Sequence, residues 1–281
     1  MNEMIEGNEG GEGIEDKGMI KPVHGVGEWA STSVNIQTGC ENDCKYCYAK
    51  QMAMRFGHAT PTSWSTPTLR TRSIDKGYRK RDGRVMFPTS HDITPNNLDL
   101  CLVVLFKLLA AGNEVLIVTK PHLSCIEGLC EDLERYKSQI TFRFTIGSAD
   151  NKVLSYWEPN APSFEERLEA LKFAHAQGFK TSVSSEPMLD LHIDRVIEAI
   201  RPFVTDSIWL GRVNKLRQAI SLNCPDDIEA QEKATELLAE QTDAYLCTIH
   251  DSYKNNSFIK FKDSIKKAVG IELPTETGLD I

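Results

Sequence analysis

The sequence of 281 residues is 41% hydrophobic and 26% charged, with a formal net charge of −8. This balance is typical of a soluble protein with a sizeable core, and it argues against a protein that coats nucleic acid generally, although a local basic patch could still bind phosphates. No apolar run approaches the roughly 20 residues that span a bilayer, and the acidic N-terminus is unlike a signal peptide, so we expect a cytoplasmic protein that does not enter a membrane. Eight cysteines, only three of them clustered, favour reduced thiols over a disulfide framework.

The chain begins with a segment that has little to bury. Residues 1–20 are rich in Gly and Glu, which predicts a disordered tail. A β-like run at 33–37 then leads into three cysteines, and a helix-prone segment follows at 48–55.

Residues 61–84 form a basic insertion that is too long for a plain connector. Trp64 and Tyr78 are interleaved there with seven cations: Arg70, Arg72, Lys76, Arg79, Lys80, Arg81 and Arg84. The basic side chains of such a segment could bind a phosphate backbone, and its aromatic side chains could stack on bases. A solvated loop with scattered positive charge is the alternative interpretation.

Strands and helices alternate from residue 84 onward. The predicted strands cover 84–87, 114–119, 140–146, 180–184 and 207–210, and the predicted helices cover 98–111, 124–136, 164–177 and 193–204. Ser163 and Glu166 form a capping box before one of these helices, and Gly178 ends it. Repeats of this length imply parallel strands joined by right-handed crossovers, so the pattern predicts an α/β fold of six strands when 33–37 is counted as the first.

Beyond residue 215 the pattern changes to a helix-rich extension. Residues 227–251 read as one long amphipathic helix, 257–261 as a short edge-like strand and 263–269 as a short helix. We therefore expect a domain of residues 21–215 with an extension, 216–281, that packs on it and carries no chemistry.

Three cysteines follow the first predicted strand with C-x3-C-x2-C spacing: Cys40, Cys44 and Cys47. Three converging thiolates make a soft-metal site, and the spacing favours iron–sulfur over zinc, which usually takes four ligands in C-x2-C pairs. The odd number of cysteines leaves one metal position without a protein thiolate, which suggests a reactive site rather than a structural one. A structural metal knuckle or three buried cysteines is the alternative.

The cysteine loop resembles the C-x3-C-x-Φ-C motif of the radical S-adenosylmethionine enzymes, with Tyr46 at the aromatic position. The resemblance implies that Cys40, Cys44 and Cys47 bind three irons of a 4Fe-4S cluster and that S-adenosylmethionine chelates the fourth. An external one-electron reductant of the flavodoxin or ferredoxin type would then drive cleavage to methionine and a 5′-deoxyadenosyl radical, which abstracts hydrogen from a substrate. It also implies that the α/β fold is a partial (β/α)6 barrel, open on one side.

A narrower resemblance extends past the motif. Residues 35–49, 118–120 and 157–168 look like the radical enzymes grouped with spore photoproduct lyase. The resemblance makes a nucleic-acid lesion or nucleotide one candidate substrate. A metal-binding module without turnover is a further alternative, and the sequence leaves the substrate and the residues that handle it open.

Polar residues follow every predicted strand, and the resemblance assigns several of them to cofactor binding. Ser90, His91 or Asp92 would contact the methionine amino group, and Ser148 the ribose. Ser184 or Glu186 would contact ribose or methionine.

The backbone carbonyl of Tyr46 would accept from the adenine amino group. At each of these positions a side chain that merely caps a helix or hydrogen-bonds is the alternative interpretation. Glu158 and Arg167 are predicted to pair and fix the loop before helix 164–177.

Four of the cysteines outside the loop lie in apolar helical patterns and are expected to be small core residues: Cys101, Cys125, Cys130 and Cys247. Cys224, before Pro225, is a weaker candidate for hydrogen donation or a second cluster.

Overall fold

A computed structural model describes residues 22–279, so the tail predicted at 1–20 lies outside the described residues. The strands are β1 (Thr32–Ser33), β2 (Gln37–Thr38), β3 (Thr68–Leu69), β4 (Val85–Phe87), β5 (Val115–Thr119), β6 (Ile140–Thr145), β7 (Lys180–Met188), β8 (Ile208–Arg212) and β9 (Ile259–Phe261). The helices are α1 (Tyr48–Arg55), α2 (Thr71–Asp75), α3 (Leu98–Ala110), α4 (Leu123–Asp132), α5 (Asn151–Trp157), α6 (Phe164–Ala176), α7 (Ile193–Ile200), α8 (Leu216–Asn223), α9 (Ile228–Glu240), α10 (Asp243–Tyr253) and α11 (Asp263–Ala268).

The main sheet confirms the α/β prediction. In the described part of the chain seven strands lie in the order β1-β4-β5-β6-β7-β8-β9, and every neighbouring pair is parallel. The sheet order follows the chain order because each strand returns through helical or loop segments to pair with the strand before it. The strand predicted at 257–261 supplies the seventh member, since Ile259 pairs with Ile208.

The first strand is shorter than predicted. Thr32 pairs with Val85 in the main sheet, but Gln37 pairs antiparallel with Leu69 in a separate two-stranded ribbon. The predicted run 33–37 is therefore split. Its backbone changes partners between the two, because Val34 donates to the carbonyl of Met86 and Ile36 accepts from the amide of Arg70.

The prediction of one helix over 227–251 is wrong, because α9 and α10 are separate helices. The Thr242 side chain caps α10 by accepting from the amide of Tyr245. Gln241 is buried, and its side chain donates to the carbonyl of Met188 at 3.0 Å. The capping residue and the buried amide both favour a break in the helix at this point. The sequence pattern also did not predict α5 and α8, nor β3 and α2 within the insertion 61–84.

The two faces of the sheet pack differently. Val85 and Ile117 belong to the large core between the sheet and the helices. Alternate residues such as Met86 and Leu116 point to the other face, where they pack with Trp29 and Trp209. Among the described residues, no helix is long and apolar enough to cross a membrane.

Candidate active site

A cavity of about 360 Å³ lies beside the cysteine loop at the carboxyl ends of the strands. Its volume lies in the range of pockets that hold small ligands. Nine of the ten residues predicted for the site line it: Cys40, Cys44, Tyr46, Cys47, Ser90, His91, Asp92, Ser184 and Glu186. The tenth, Ser148, does not belong to the lining. Parallel strands bring their carboxyl ends to one edge, which explains why residues 40 to 186 meet here.

The cysteine loop is shaped by its two ends. Gly39 precedes it with φ of +100°, and a Cβ at this position would lie 2.6 Å from the carbonyl oxygen of Trp64. That carbonyl accepts from the amide of Cys40. At the other end Cys47 caps helix α1, because its sulfur accepts from the amide of Lys50. Only glycine fits the first position, and the helix start fixes the last cysteine.

The three thiols have the chemistry of ligands to a metal cluster. Cys40 and Cys44 are buried, Cys47 is partly buried, and burial raises the pKa of each thiol above its usual range. Thiols in such surroundings ionise when a cation coordinates them. No three His, Cys, Asp or Glu side chains among residues 22–279 converge on a single ion position. A 4Fe-4S cluster sets a different requirement, since each thiolate binds its own iron.

Helices α8 and α9 hold the loop from outside. Asn223 at the end of α8 is buried, and its side-chain amide donates to the carbonyls of Lys45 and Cys47, both at 2.9 Å. Asp227, which caps α9, pairs with the ammonium of Lys45. The extension therefore contacts the loop directly. These residues were missed because nothing in the local sequence connects position 223 with position 45.

Asp92 joins the cysteine loop to strand β5. One carboxylate oxygen accepts from the Lys120 amide at 2.7 Å and from the Thr119 hydroxyl at 3.1 Å, and the other accepts from the Asn42 side chain at 2.9 Å. Burial opposes ionisation of this carboxyl, but the Lys120 ammonium and the hydrogen bonds outweigh it and lower the pKa of Asp92. Asp92 is thus an ionised residue that fixes the loop.

His91 is a neutral hydrogen-bonding residue. Its Nε2 accepts from the amide of Ile36 at 3.2 Å, which places the ring proton on Nδ1, 3.0 Å from the carbonyl oxygen of Asp92. Burial lowers the pKa of His91 to about 4. Both ring nitrogens are engaged with the backbone, so this geometry agrees with the alternative interpretation of a histidine that only hydrogen-bonds.

Lys120 and Glu158 extend the site beyond the residues that were predicted to bind the cofactors. Lys120 lies 3.5 Å from the Asp92 carboxylate and 3.9 Å from Glu158. It is the one Lys or Arg among the described residues that line the cavity. Glu158 also accepts from the Tyr46 hydroxyl and pairs with Arg167 at 2.6 Å. The predicted ion pair is confirmed, and it reaches the aromatic residue of the cysteine loop.

The predicted serines divide into two groups. The hydroxyls of Ser90 and Ser184 are buried on the cavity wall and have no hydrogen-bond partner among residues 22–279. Buried polar groups are normally paired, so these two hydroxyls fit a polar ligand in the cavity. Ser148 instead donates to Asp190 and accepts from the amide of Asp150, which agrees with a role in loop structure.

Glu186 lies at the other end of the cavity and faces a buried lysine. Lys262 is fully buried, 2.7 Å from Glu28 and 3.4 Å from Glu186, with its ammonium 4.1 Å from the centre of the Trp29 ring. Burial raises the pKa of Glu186 to about 7, although Lys262 opposes the shift. This carboxyl can therefore change protonation state near neutral pH.

The basic insertion does not form one exposed basic and aromatic surface. Trp64 is buried beneath the cysteine loop in a cluster with Cys40, and the hydroxyl of Tyr78 donates to a backbone carbonyl. Lys80 donates to the carbonyl of Gly112, and Arg84 donates to that of Trp29. The solvated-loop interpretation fits these contacts better than a stacking platform.

The family model of the radical SAM superfamily matches residues 34–201, which are more than half of this chain. An uncharacterised protein of Acidianus two-tailed virus is 30% identical over 178 residues, which cover 58% of this chain and 58% of the viral protein. An uncharacterised protein of Methanocaldococcus jannaschii is 26% identical over 225 residues, which cover 77% of this chain and 84% of that protein.

Solved structures share the fold. Spore photoproduct lyase complexed with dinucleoside spore photoproduct matches with a TM-score of 0.52 and 16% identity, over 82% of this chain and 76% of the lyase chain. A mutant of the lyase with AdoMet and dinucleoside spore photoproduct bound matches with a TM-score of 0.50 and 18% identity, over 75% of this chain and 65% of the mutant lyase chain. Streptococcus suis SuiB bound to S-adenosylmethionine matches with a TM-score of 0.51 and 10% identity, over 89% of this chain and 54% of the SuiB chain. The chain therefore spans less than two thirds of the viral relative and of the mutant lyase chain.

Proposed function

The chain belongs to the radical SAM superfamily, and from this premise we propose that it generates a 5′-deoxyadenosyl radical and uses it to abstract hydrogen from a substrate. Enzymes of this family use a 4Fe-4S cluster and S-adenosylmethionine. The chemistry that the two cofactors supply together is one-electron cleavage of the sulfonium, which yields methionine and the radical. An external one-electron donor has to deliver the electron, and we propose a flavodoxin or ferredoxin type of protein for this role.

The observation that carries the proposal is the shared wall of the cavity. Three thiols that would bind the cluster line the same cavity as the unpartnered hydroxyls of Ser90 and Ser184. These hydroxyls can hydrogen-bond to the amino acid or ribose part of S-adenosylmethionine. The Lys120 ammonium on the same wall can attract its carboxylate.

Other residues would keep the reaction contained. Trp29, Met86 and Val118 give the cavity apolar walls that exclude water from a reactive intermediate. Asp92 and Glu158 hold Lys120 between them, so its ammonium keeps one position. The protein thus supplies orientation and exclusion, while the cofactors supply the redox chemistry.

Anaerobic reconstitution tests the proposal. The reconstituted protein, reduced with dithionite and given S-adenosylmethionine, should form 5′-deoxyadenosine, and the Cys44→Ala variant should form none. Wild type that binds iron and sulfide yet yields no product, and so behaves like the variant, would refute it.

A nucleotide-type substrate is the second candidate. It is supported by the fold shared with a lyase complexed with a dinucleoside photoproduct. The buried Trp64 leaves the insertion with less aromatic surface for stacking than the sequence predicted. Salt-sensitive DNA binding that vanishes after charge reversal of Arg79, Lys80 and Arg81 would support this candidate. Unchanged binding would show that the insertion does not bind the nucleic acid.

A further inference from the structure

Among the described residues that line the cavity, two carry carboxyl groups, and the two groups differ in how completely they are paired. Asp92, at the cysteine end, accepts three hydrogen bonds and also faces the Lys120 ammonium. Glu186, at the other end, contacts the ammonium of Lys262 at 3.4 Å and accepts no hydrogen bond from a backbone amide or hydroxyl of residues 22–279. Buried polar groups are normally paired, so Glu186 is the carboxyl with capacity for a ligand.

The Lys262 ammonium is divided among several acceptors. It has three N–H donors. It lies 2.7 Å from the Glu28 carboxylate, 2.9 Å from the carbonyl oxygen of Gly25 and 3.4 Å from Glu186. Two carboxylates therefore share one buried ammonium, and Glu186 makes the longest of its three contacts.

The other charges near Glu186 do not supply a second cation. Lys266 approaches Glu28, at 4.0 Å, and Asp263 adds a further negative charge whose own partner is Lys267 at 2.9 Å. Burial of Glu186 outweighs its ion pair and raises its pKa to about 7. A positive group placed beside this carboxylate would offset the cost of its burial.

The strand that carries Glu186 directs it toward the cavity. Ser184 and Glu186 are alternate residues of β7, which places them on one face of the sheet, and both line the cavity. The register of β7 against β8 shifts between Ser185 and Met188. A bulge of this kind bends a strand and turns its side chains, and bulges are frequent next to functional sites.

The cavity walls at this end are apolar. Val26 and Trp29, from the segment before β1, lie opposite Met86 and Val118 on the inner face of the sheet. The hydroxyl of Tyr48, at the cavity mouth, donates to the carbonyl of Thr89. A ligand here would pack carbon atoms against the walls and place one polar group at Glu186.

We propose that this end of the cavity, with Glu186 at its centre and Val26, Trp29 and Met86 as walls, binds the protonated amino group of an apolar amine substrate. The proposal deepens the function proposed above and rests on it, since it names the class of molecule from which hydrogen would be taken. An ammonium suits the subsite better than a neutral donor because it both hydrogen-bonds to the carboxylate and supplies positive charge. An anionic group would face the like charge of Glu186.

Binding of two matched probes to the full-length reconstituted protein tests the proposal. The probes are n-hexylamine and its neutral analogue n-hexanol, titrated calorimetrically with saturating S-adenosylmethionine and without a reductant. At about pH 8 wild type should bind the amine on the order of tenfold more tightly than the alcohol. The preference should shrink toward pH 5.5, because Glu186 becomes protonated while an alkylammonium, like that of lysine, stays charged.

The Glu186→Gln variant keeps the size of the side chain and should bind both probes equally at every pH. Glu114→Gln, which removes an exposed carboxylate before β5 at the opposite end of the strands, should keep the wild-type preference. Equal binding of the two probes by wild type at pH 8, or an amine preference that survives in Glu186→Gln, would overturn the subsite. Failure of n-hexylamine to bind at about 10 mM would do the same.

Two further outcomes would overturn the assignment of Glu186 to a substrate amine. Competition between n-hexylamine and S-adenosylmethionine would assign Glu186 to the amino group of the cofactor, and tighter binding of n-hexanoate would assign the subsite to anions. The formation of 5′-deoxyadenosine with dithionite is measured separately. Wild type that forms 5′-deoxyadenosine without an amine preference overturns only the subsite, whereas an amine preference without 5′-deoxyadenosine refutes the proposed function.

Discussion

Replacing Asn223 with Ala should loosen the cysteine loop without altering any predicted cofactor ligand. The side chain donates to the carbonyls of Lys45 and Cys47, both at 2.9 Å in a buried position. Each bond contributes about 1 kcal/mol net, and a buried carbonyl left without its donor costs about 1–3 kcal/mol more. The carbonyl of Cys47 keeps the amide of Gln51 at 3.0 Å, so the further penalty falls mainly on Lys45. The loop should therefore lose about 3–5 kcal/mol.

The reactivity of Cys47 in the apoprotein measures this loss directly. A local loss of about 3 kcal/mol raises the open population roughly 150-fold, and alkylation of Cys47 by iodoacetamide should accelerate by a similar factor. The reconstituted Asn223→Ala variant should also lose iron to a chelator faster than the reconstituted wild type does.

Asn113→Ala is the matched control for this variant. Asn113 is also buried and bonds the carbonyls of Arg79 and Leu108, but it precedes β5 at the opposite end of the strands from the cysteines. Its loss should lower the free energy of unfolding without selective exposure of Cys47. If the two variants alkylate Cys47 at the same rate, the loop is held by something other than Asn223.

Buried polar groups around the cavity provide three further tests. Arg167→Met should lower the free energy of unfolding of the apoprotein by about 3–5 kcal/mol, because the buried Glu158 then loses the guanidinium and keeps only the Tyr46 hydroxyl and the more distant Lys120 ammonium. The double variant Glu158→Leu/Arg167→Met should lose less, and additive losses in urea denaturation would contradict this. Ser90→Ala and Ser184→Ala should leave the stability of the apoprotein unchanged but weaken S-adenosylmethionine binding about five- to tenfold, the value of one hydrogen bond, as measured by equilibrium dialysis of the reconstituted protein. Burial raises the pKa of Glu186 from 4.5 to about 7, so the stability that its protonation supplies is present below pH 4.5 and is lost as the pH rises to 7. The unfolding free energy of wild type minus that of Glu186→Gln should fall across this window by up to about 3 kcal/mol, and a flat difference would rule out the raised pKa.

The cysteine loop and the order of the strands were readable from local sequence. Three closely spaced cysteines with Tyr46 between the last two, and helices alternating with apolar runs, specify ligand chemistry and a parallel sheet by residue type and period. The ion pair of Glu158 and Arg167 was also predicted, since both residues flank one loop and carry opposite charges.

Residues that act across the fold required the tertiary structure. Asn223 lies 178 positions from the carbonyl that it holds at Lys45, and no periodicity or spacing encodes such a contact. The break between α9 and α10 has the same origin, because the buried bond of Gln241 to Met188 overrides a continuous amphipathic pattern.

The protonation and pairing of the predicted polar residues depended on the tertiary structure as well. His91 and Ser148 have the residue types of ligand contacts, yet their polar atoms are engaged by Ile36 and Asp190, while Ser90 and Ser184 have no partner. Sequence determines which chemical groups stand at the strand ends. Only the packed fold decides which of them are already satisfied and which face the cavity, because hydrogen-bond partners come from segments distant along the chain.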